Sequence, residues 1–329
     1  MHAVDGVRIT VVVESWVDIL LGEQDGVTRT GLVHHFDPKA RPLLAENGFS
    51  ILVETFNGRH RSTVLFDCGL SGIVIEHNFA ALGIDPSAID HIAISHGHFD
   101  HHGGLSRVLD LIGHPVPVVA HPDAFHPRYL MLSSGETAAY YNAALDKSDL
   151  HGRGARFVDA RDPLPLGDGI ISSGEIERTI PFENLQPGDF RDSLGPGIYQ
   201  IVDGRAMFDI VPDELAVIVN VKSEGLVVIS ACGHAGIINT VSHAQAITGI
   251  DRLALIMGGF HLGFPGTPQD KRDSTVTELK RFGAAQIAPM HCTGFKCMAD
   301  VARELPDAFV QYSVGTRFHV GDTSTVNSQ

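Results

Sequence analysis

The stretch of sequence that decides the fold is Ser95-His96-Gly97-His98-Phe99-Asp100-His101-His102-Gly103-Gly104. It directly follows the apolar segment 89–94, which is predicted to be a strand. Imidazole and carboxylate groups packed this closely are suitable ligands for zinc, iron or manganese. The glycines relieve crowding where the backbone must fold tightly around a metal. The stretch therefore predicts a metal centre at a strand end rather than a solvated, histidine-rich loop.

The number of ligating groups in this motif bears on the number of ions. Three such groups satisfy one ion and leave a coordination position open for water. The motif offers four, namely His96, His98, Asp100 and His101, and these cannot all reach one ion comfortably. The spacing therefore suggests two adjacent ions.

Composition excludes several classes of protein. The 329 residues carry 24 lysines and arginines against 39 aspartates and glutamates, a net charge of −15, which argues against a nucleic-acid partner. The apolar runs are strand-sized and too short to span a bilayer, and the four cysteines form no CxxC pair. We expect a cytoplasmic protein, monomeric or oligomeric, whose partner is a small-molecule substrate rather than nucleic acid or membrane.

Alternating strand and helix patterns occupy two parts of the chain, 9–121 and 215–315. In each part an apolar strand is followed by a histidine, then glycine, then a helix, and strand C-terminal ends are where α/β sheets place their sites. The last strand is predicted at 309–314. The middle, 122–213, is rich in proline and glycine and is predicted to be an insertion or lid that forms part of the pocket.

The motif His96-Gly-His98-Phe-Asp100-His101 resembles the signature of the metallo-β-lactamase superfamily. Within it, the chain is most similar to the dihydropterin–ribofuranosylaminobenzene-phosphate synthase-like branch. The motifs behind this second similarity are Phe66-Asp67-Cys68-Gly69, Cys232-Gly233-His234-Ala235-Gly236-Ile237, Gly258-Gly259-Phe260-His261-Leu262 and Pro289-Met290-His291-Cys292-Thr293-Gly294. The resemblance implies an α/β fold, the αβ/βα sandwich of this superfamily, as a single domain over 1–329 with one or two metal ions along one edge.

The resemblance also implies which side chains hold the ions. Ligands of the first ion would be His96, His98 and His234. Ligands of the second ion would be Asp100, His101 and His291. Asp67, at the end of a strand, would orient a ligating imidazole by accepting its other N–H.

One position departs from the superfamily pattern. An aspartate usually stands between the third and the last histidine and bridges both ions, whereas this chain has Gly258-Gly259-Phe260-His261. A neutral imidazole has one free lone pair and cannot bridge, so His261 either ligates one ion or faces the substrate. Cys232 is a second candidate for that space, because a thiolate can bridge. Cys292 is expected to be a small packing residue rather than a nucleophile. The departure from the bridging aspartate keeps a one-metal enzyme open as an alternative.

These features favour a metal-dependent hydrolase that uses a metal-activated water on a small ester, lactone or phosphodiester. Zinc is the expected metal, with manganese or iron as alternatives, and Asp100 or His261 is expected to move the proton. The synthase-like resemblance keeps a pterin-pathway transferase open. The replaced bridging aspartate keeps a non-catalytic metal-binding or sensor protein open. The chain has no G-x-S-x-G elbow and no phosphate-binding glycine motif after a strand.

Overall fold

The computed structural model describes residues 1–31, 36–131, 137–140, 145–185 and 197–323. Its largest sheet runs in the order β2-β18-β1-β3-β4-β5-β6-β9. These strands are β1 (Gly6–Val13), β2 (Val27–Thr28), β3 (Ser50–Asn57), β4 (His60–Phe66), β5 (His91–Ile94), β6 (Val116–Ala120), β9 (Ala155–Asp159) and β18 (Arg317–Gly321).

A six-stranded sheet packs against the first in the order β10-β11-β14-β15-β16-β17. Its strands are β10 (Pro165–Gly167), β11 (Ile170–Ser172), β14 (Ala216–Val221), β15 (Gly225–Ser230), β16 (Leu253–Gly259) and β17 (Gln286–Met290). A smaller sheet runs β13-β12-β7-β8. It contains β7 (Arg128–Met131), β8 (Thr137–Tyr140), β12 (Gly197–Val202) and β13 (Arg205–Phe208). Three strands from the range 122–213 belong to the two large sheets, β9 to the first and β10 and β11 to the second. This range is therefore only partly separate from the sandwich.

Helices cover the outer faces of both large sheets. They are α1 (Gly72–Leu82), α2 (Phe99–His102), α3 (Leu105–Ile112), α4 (Lys147–Gly152), α5 (Ile237–Thr248), α6 (Gln269–Phe282) and α7 (Gly294–Glu304). Single 3₁₀ turns span Pro86–Ala88, Pro122–Phe125, Pro181–Glu183 and His291–Thr293. Among the described helices, none is both long enough and apolar enough to cross a bilayer.

Alternation along the strands builds the layers, because successive side chains point to opposite faces of a sheet. On β3, Ile51 and Val53 enter the core between the two sheets, whereas Leu52 packs under the helices of the first sheet. On β16, Leu255 enters the central core and Ile256 packs under the helices of the second sheet. Three apolar layers of this kind make an αβ/βα sandwich, as the sequence predicts.

The prediction of a strand at 309–314 is wrong. This segment makes an isolated bridge between Ile287 and Phe309, and the strand that pairs with β1 is β18, farther along the chain. The buried side chains of Val310, Tyr312 and Val314 alternate as in a strand. Val310 and Tyr312 belong to the core between the two large sheets, and beyond the bridge at Phe309 the segment joins no ladder.

Parallel pairing brings several strand ends to one edge of the sandwich. The strands β4, β5, β6 and β9 run parallel in the first sheet, and β15, β16 and β17 run parallel in the second. The C-terminal ends of such strands lie at a common edge, where open α/β sheets hold their ligands. The side chains that follow these ends therefore meet.

A buried carboxylate, Glu183, fixes the start of α5, which follows one of these strand ends. Its oxygens accept hydrogen bonds from the backbone of Ile238 (2.9 Å) and Asn239 (2.8 Å). Gly236 precedes the helix at φ 94°, and a Cβ there would overlap the carboxylate. Burial raises the pKa of Glu183 from 4.5 to about 7, against the opposing effect of the two N–H donors.

This raised pKa predicts a pH-dependent stability that Glu183→Gln removes. A carboxyl whose folded pKa is raised contributes stability that is full below about pH 4.5 and is lost as the pH rises through about 7. Relative to Glu183→Gln, the wild type should lose stability across that window, by up to about 1.4 kcal/mol per pH unit. Urea unfolding of both proteins at several pH values measures it, and parallel stability curves would contradict it.

Candidate metal centre

Four imidazoles from different parts of the chain converge at the shared strand edge. The ring centroid of His96 lies 4.6 Å from that of His98, 4.2 Å from His101 and 4.8 Å from His234. The rings of His98 and His234 are 4.8 Å apart. All four side chains are buried. The fold therefore brings the histidines of the 96–101 motif together with one that follows β15.

The loop that carries His234 is held by buried charges. Glu214 accepts hydrogen bonds from the backbone N–H groups of Gly233 (2.6 Å) and Ala235 (2.5 Å), on either side of the histidine. Arg178 donates to the His234 carbonyl oxygen at 3.2 Å. The imidazole is thus presented by a fixed backbone rather than by a free loop.

Two imidazoles of the motif, those of His96 and His101, are held through one ring nitrogen. Nδ1 of His96 lies 2.8 Å from Ser95 Oγ, and Nδ1 of His101 lies 2.7 Å from Asp67 Oδ2. Within the described part of the chain, Nε2 of both rings and both nitrogens of His234 are buried without a hydrogen-bond partner. Such atoms are rare because losing water costs free energy. A bound cation would satisfy them, so these side chains fit a metal ion.

A second group of ligand atoms surrounds Asp100. Its Oδ2 lies 3.4 Å from His291 Nε2 and 3.7 Å from His101 Nε2. Two ligands of a tetrahedral zinc, each at about 2.1 Å from the ion, are about 3.4 Å apart. The spacing of this group thus also fits an ion.

The electrostatics differ between the two groups. Burial disfavours the Asp100 carboxylate, but His101 and His291 outweigh it and lower the pKa of Asp100. Burial also disfavours the His291 imidazolium, yet the hydrogen bond to Asp100, together with Cys292 and Glu14, raises the pKa of His291 to about 10. Burial and neighbouring imidazoles lower the pKa of His96 and of His234. Those two rings are therefore neutral, the form that binds metal.

Two buried carboxylates that the sequence analysis does not identify lie close to ring nitrogens of these imidazoles. Glu14, which follows β1, places Oε1 3.9 Å from His291 Nδ1. Asp209 places Oδ2 3.7 Å from His98 Nε2 and accepts a hydrogen bond from the buried Arg128 at 2.6 Å. The sequence signal for Glu14 is an acidic residue that ends an apolar strand, as Asp67 does. Asp209 lies in the proline- and glycine-rich middle, where no pattern marks it.

Two thiols and His261 form a third cluster beside the imidazoles. Cys232 Sγ lies 3.0 Å from Cys292 Sγ and 3.6 Å from His261 Nδ1, and the Cys292 thiol donates to the Cys232 carbonyl oxygen at 2.7 Å. The His261 ring lies 4.2 Å from that of His234 and 4.6 Å from that of Phe264. Cys292, which the sequence predicts to be a small packing residue, also lines the site cavity.

Backbone strain is concentrated at this edge. Asp67, His261 and His291 have φ values of 61°, 53° and 49°, in the left-handed region that L residues seldom adopt. Each follows the end of a parallel strand. Such strain persists only where surrounding contacts fix it, and it clusters at functional sites.

A cavity of roughly 520 Å³ opens beside these clusters. Ligand-type side chains form its floor, among them His98, Asp100 and His234. Apolar side chains form its walls, namely Leu70, Phe99, Leu130, Ile198, Phe264 and Pro265. Among the described residues, no lysine or arginine lines it. The third sheet contributes to the wall through Leu130 on β7 and Ile198 on β12.

Comparison with known proteins gives consistent results. The sequence profile of the metallo-β-lactamase superfamily matches residues 44–189. A relative from Methanocaldococcus jannaschii, 7,8-dihydropterin-6-methyl-4-(β-D-ribofuranosyl)-aminobenzene-5′-phosphate synthase, is 32% identical over 295 residues, which cover 90% of this chain and 97% of the relative.

Two solved structures are similar in fold. A crystal structure described as a metal-dependent hydrolase of the β-lactamase superfamily has a TM-score of 0.68 and 25% identity, and the match covers 96% of this chain and 100% of that one. A diphosphatase of the PhnP family has a TM-score of 0.50 and 14% identity, covering 96% and 97% of the two chains; it supports the fold alone. With the sandwich and the clustered ligands, these matches show that the chain belongs to the metallo-β-lactamase superfamily.

Proposed function

We propose that this protein is a metal-dependent hydrolase of a small ester, lactone or phosphodiester. The observation that carries the proposal is the pair of ligand groups, one around His96 and one around Asp100, on the floor of a cavity with apolar walls. The similarity to a metal-dependent hydrolase over nearly the whole chain supports it.

Each group has its own set of ligands in this proposal. The first ion is held by His96, His98 and His234. The second is held by Asp100, His101 and His291. When bound, a divalent ion supplies Lewis acidity and makes water nucleophilic near neutral pH. Imidazole and carboxylate donors favour zinc, with manganese and iron as alternatives.

The chain's own side chains would then position the substrate and move protons. Asp100 lines the cavity and its side chain is 24% exposed, so it is one candidate for accepting a proton from the attacking water and returning it to the leaving group. His261, on another side of the cavity, is a second candidate for this role. The apolar wall would bind the uncharged part of the substrate and exclude bulk water.

A pterin-pathway synthase is the second candidate, and the 32% identity along nearly the full length of the relative favours it. The name of that relative's product includes a 5′-phosphate. Phosphate groups are usually recognised by arginine or lysine, and neither lines the cavity among the residues described. For this reason we place the hydrolase first.

Removing a ligand should abolish hydrolysis. We expect His98→Ala and Asp100→Asn to lower turnover of the best chromogenic ester, lactone or phosphodiester by more than about 100-fold, because lesser changes behind a metal ligand already cost 10–100-fold. His60→Ala, on an exposed histidine at the start of β4 and so at the other end of the strand from Asp67, is the matched control. Full activity of both ligand variants with zinc, manganese or iron would refute the proposed site.

A direct assay separates the two candidate functions. The purified protein is incubated with ribofuranosylaminobenzene 5′-phosphate and with a 7,8-dihydropterin that carries a 6-hydroxymethyl group as its diphosphate ester. Coupling would form a bond between the 6-methylene carbon and the amine nitrogen, break the carbon–oxygen bond to diphosphate and release diphosphate, and mass spectrometry detects the coupled product. As a hydrolase, the protein should form none. Coupling would establish the synthase instead, and tight metal binding without turnover in either assay would favour the non-catalytic sensor.

The carboxylate behind His101 generates a separate prediction. Asp67 Oδ2 accepts from His101 Nδ1, which leaves Nε2 free of a proton for the ion. An amide nitrogen at that position in Asp67→Asn would favour the opposite tautomer, with Nε2 protonated. We expect metal affinity to fall about 10–100-fold, measured by competition with a chelating dye. Asp251→Asn, on an exposed aspartate, is the control; equal affinity of wild type and Asp67→Asn would contradict the role.

A further inference from the structure

Cys232 lies within reach of both ligand groups. Its Sγ and the ligand nitrogens of His96 and His234 are all within 4.8 Å of one another. The same limit holds for its Sγ and the ligand nitrogens of His101 and His291. The side chain is 5% exposed and follows the end of β15. A single sulfur atom thus stands at the boundary between the two groups.

The end of β16 has no side chain that could enter this space. A Cβ on Gly258 would overlap the carbonyl oxygen of Ser230, and a Cβ on Gly259 would lie 2.8 Å from Cys232 Cα and 2.8 Å from Cys292 Sγ. The next polar side chain on this segment, His261, groups with the two sulfur atoms, and its ring lies 4.2 Å from that of His234. The thiols therefore occupy the space next to the strand end.

Charge and bonding capacity favour sulfur at this boundary. If all five imidazoles are neutral, the proposed ligands supply a single negative charge, from Asp100, to two divalent cations. A thiolate adds a second negative charge and has lone pairs enough for two ions, whereas a neutral imidazole has one. Zinc also accepts cysteine sulfur readily, at about 2.3 Å.

We propose that the Cys232 thiolate is a ligand common to both ion sites and that Cys292 positions it. The Cys292 thiol donates to the Cys232 carbonyl oxygen at 2.7 Å, and its sulfur accepts a hydrogen bond from the Cys232 thiol at 3.0 Å. A bound ion would take the place of that proton on Cys232 Sγ. In this arrangement Cys292 holds the cysteine backbone and limits the rotation of Cys232 without binding metal. The inference rests on the proposed function for the presence of two ions.

Cobalt substitution tests the assignment without measuring turnover. The metal-free protein is titrated with cobalt(II), and absorption is followed for near-ultraviolet sulfur-to-cobalt charge transfer. We expect the wild type to bind two cobalt ions and to show this band. Cys232→Ser should lose the band, and Cys292→Ser should keep it. Cys68→Ser, at a thiol buried in the core under α1, controls for general effects of removing a cysteine.

A second variant keeps the test decisive if Cys232→Ser folds poorly. Cys232→Asp supplies a bridging carboxylate, so it should bind two cobalt ions without the charge-transfer band. Two cobalt ions bound by the wild type with no band would overturn the Cys232 assignment and leave the hydrolase proposal standing. A band that disappears only in Cys292→Ser would overturn it in favour of the other thiol. Failure of the wild type to bind cobalt would overturn both proposals.

Discussion

The removal of water from a group of imidazoles is the constraint on which the rest of this site depends. Buried ring nitrogens need a partner, and the described residues around His96, His101 and His234 leave some without one. The rings also cannot all become charged, since burial and mutual repulsion lower the pKa of His96 and His234. A cation resolves both problems, because it accepts lone pairs from neutral rings. The burial and crowding of these rings, which are unfavourable without a cation, therefore favour the binding of a metal ion.

The strand ends of the sandwich hold these buried imidazoles in place. Parallel strands deliver their following residues to one edge, and the backbone must then turn sharply so that side chains point at a common centre. Asp67, His261 and His291 make that turn in the left-handed region. Asp67 accepts hydrogen bonds from the backbone and hydroxyl of Ser95, and the His291 N–H donates to the Tyr312 hydroxyl. The packing of the apolar layers thus offsets the backbone strain at this edge of the sandwich.

Much of the fold and part of the site could be predicted from the sequence, because those features are local. The apolar segment 89–94 predicts β5, and the 96–101 motif places its ligands within one turn. The rest depends on contacts between distant segments. Alternation at Val310 and Tyr312 is typical of a strand, yet these side chains fill a gap between sheets. Glu14, Asp209 and Cys292 meet the site only through the tertiary fold. The local signal for Glu14 is its place at the end of an apolar strand, and no local pattern separates Asp209 and Cys292 from ordinary polar or packing residues.

The third sheet connects the wall of the cavity to the candidate metal centre. Its strand β7 supplies Leu130 to the cavity wall and, two residues earlier, Arg128, whose buried guanidinium pairs with Asp209 and Asp213. Asp213 in turn accepts the N–H of Gly97, between two of the motif histidines, at 2.8 Å. A shift of β7 that reshapes the wall would therefore also move charges that hold the 96–101 loop. Removing Arg128 would leave two buried carboxylates without their cation, which is costly. Changes of substrate in this branch of the superfamily should accordingly come from the apolar wall positions, while the buried charges behind them stay fixed.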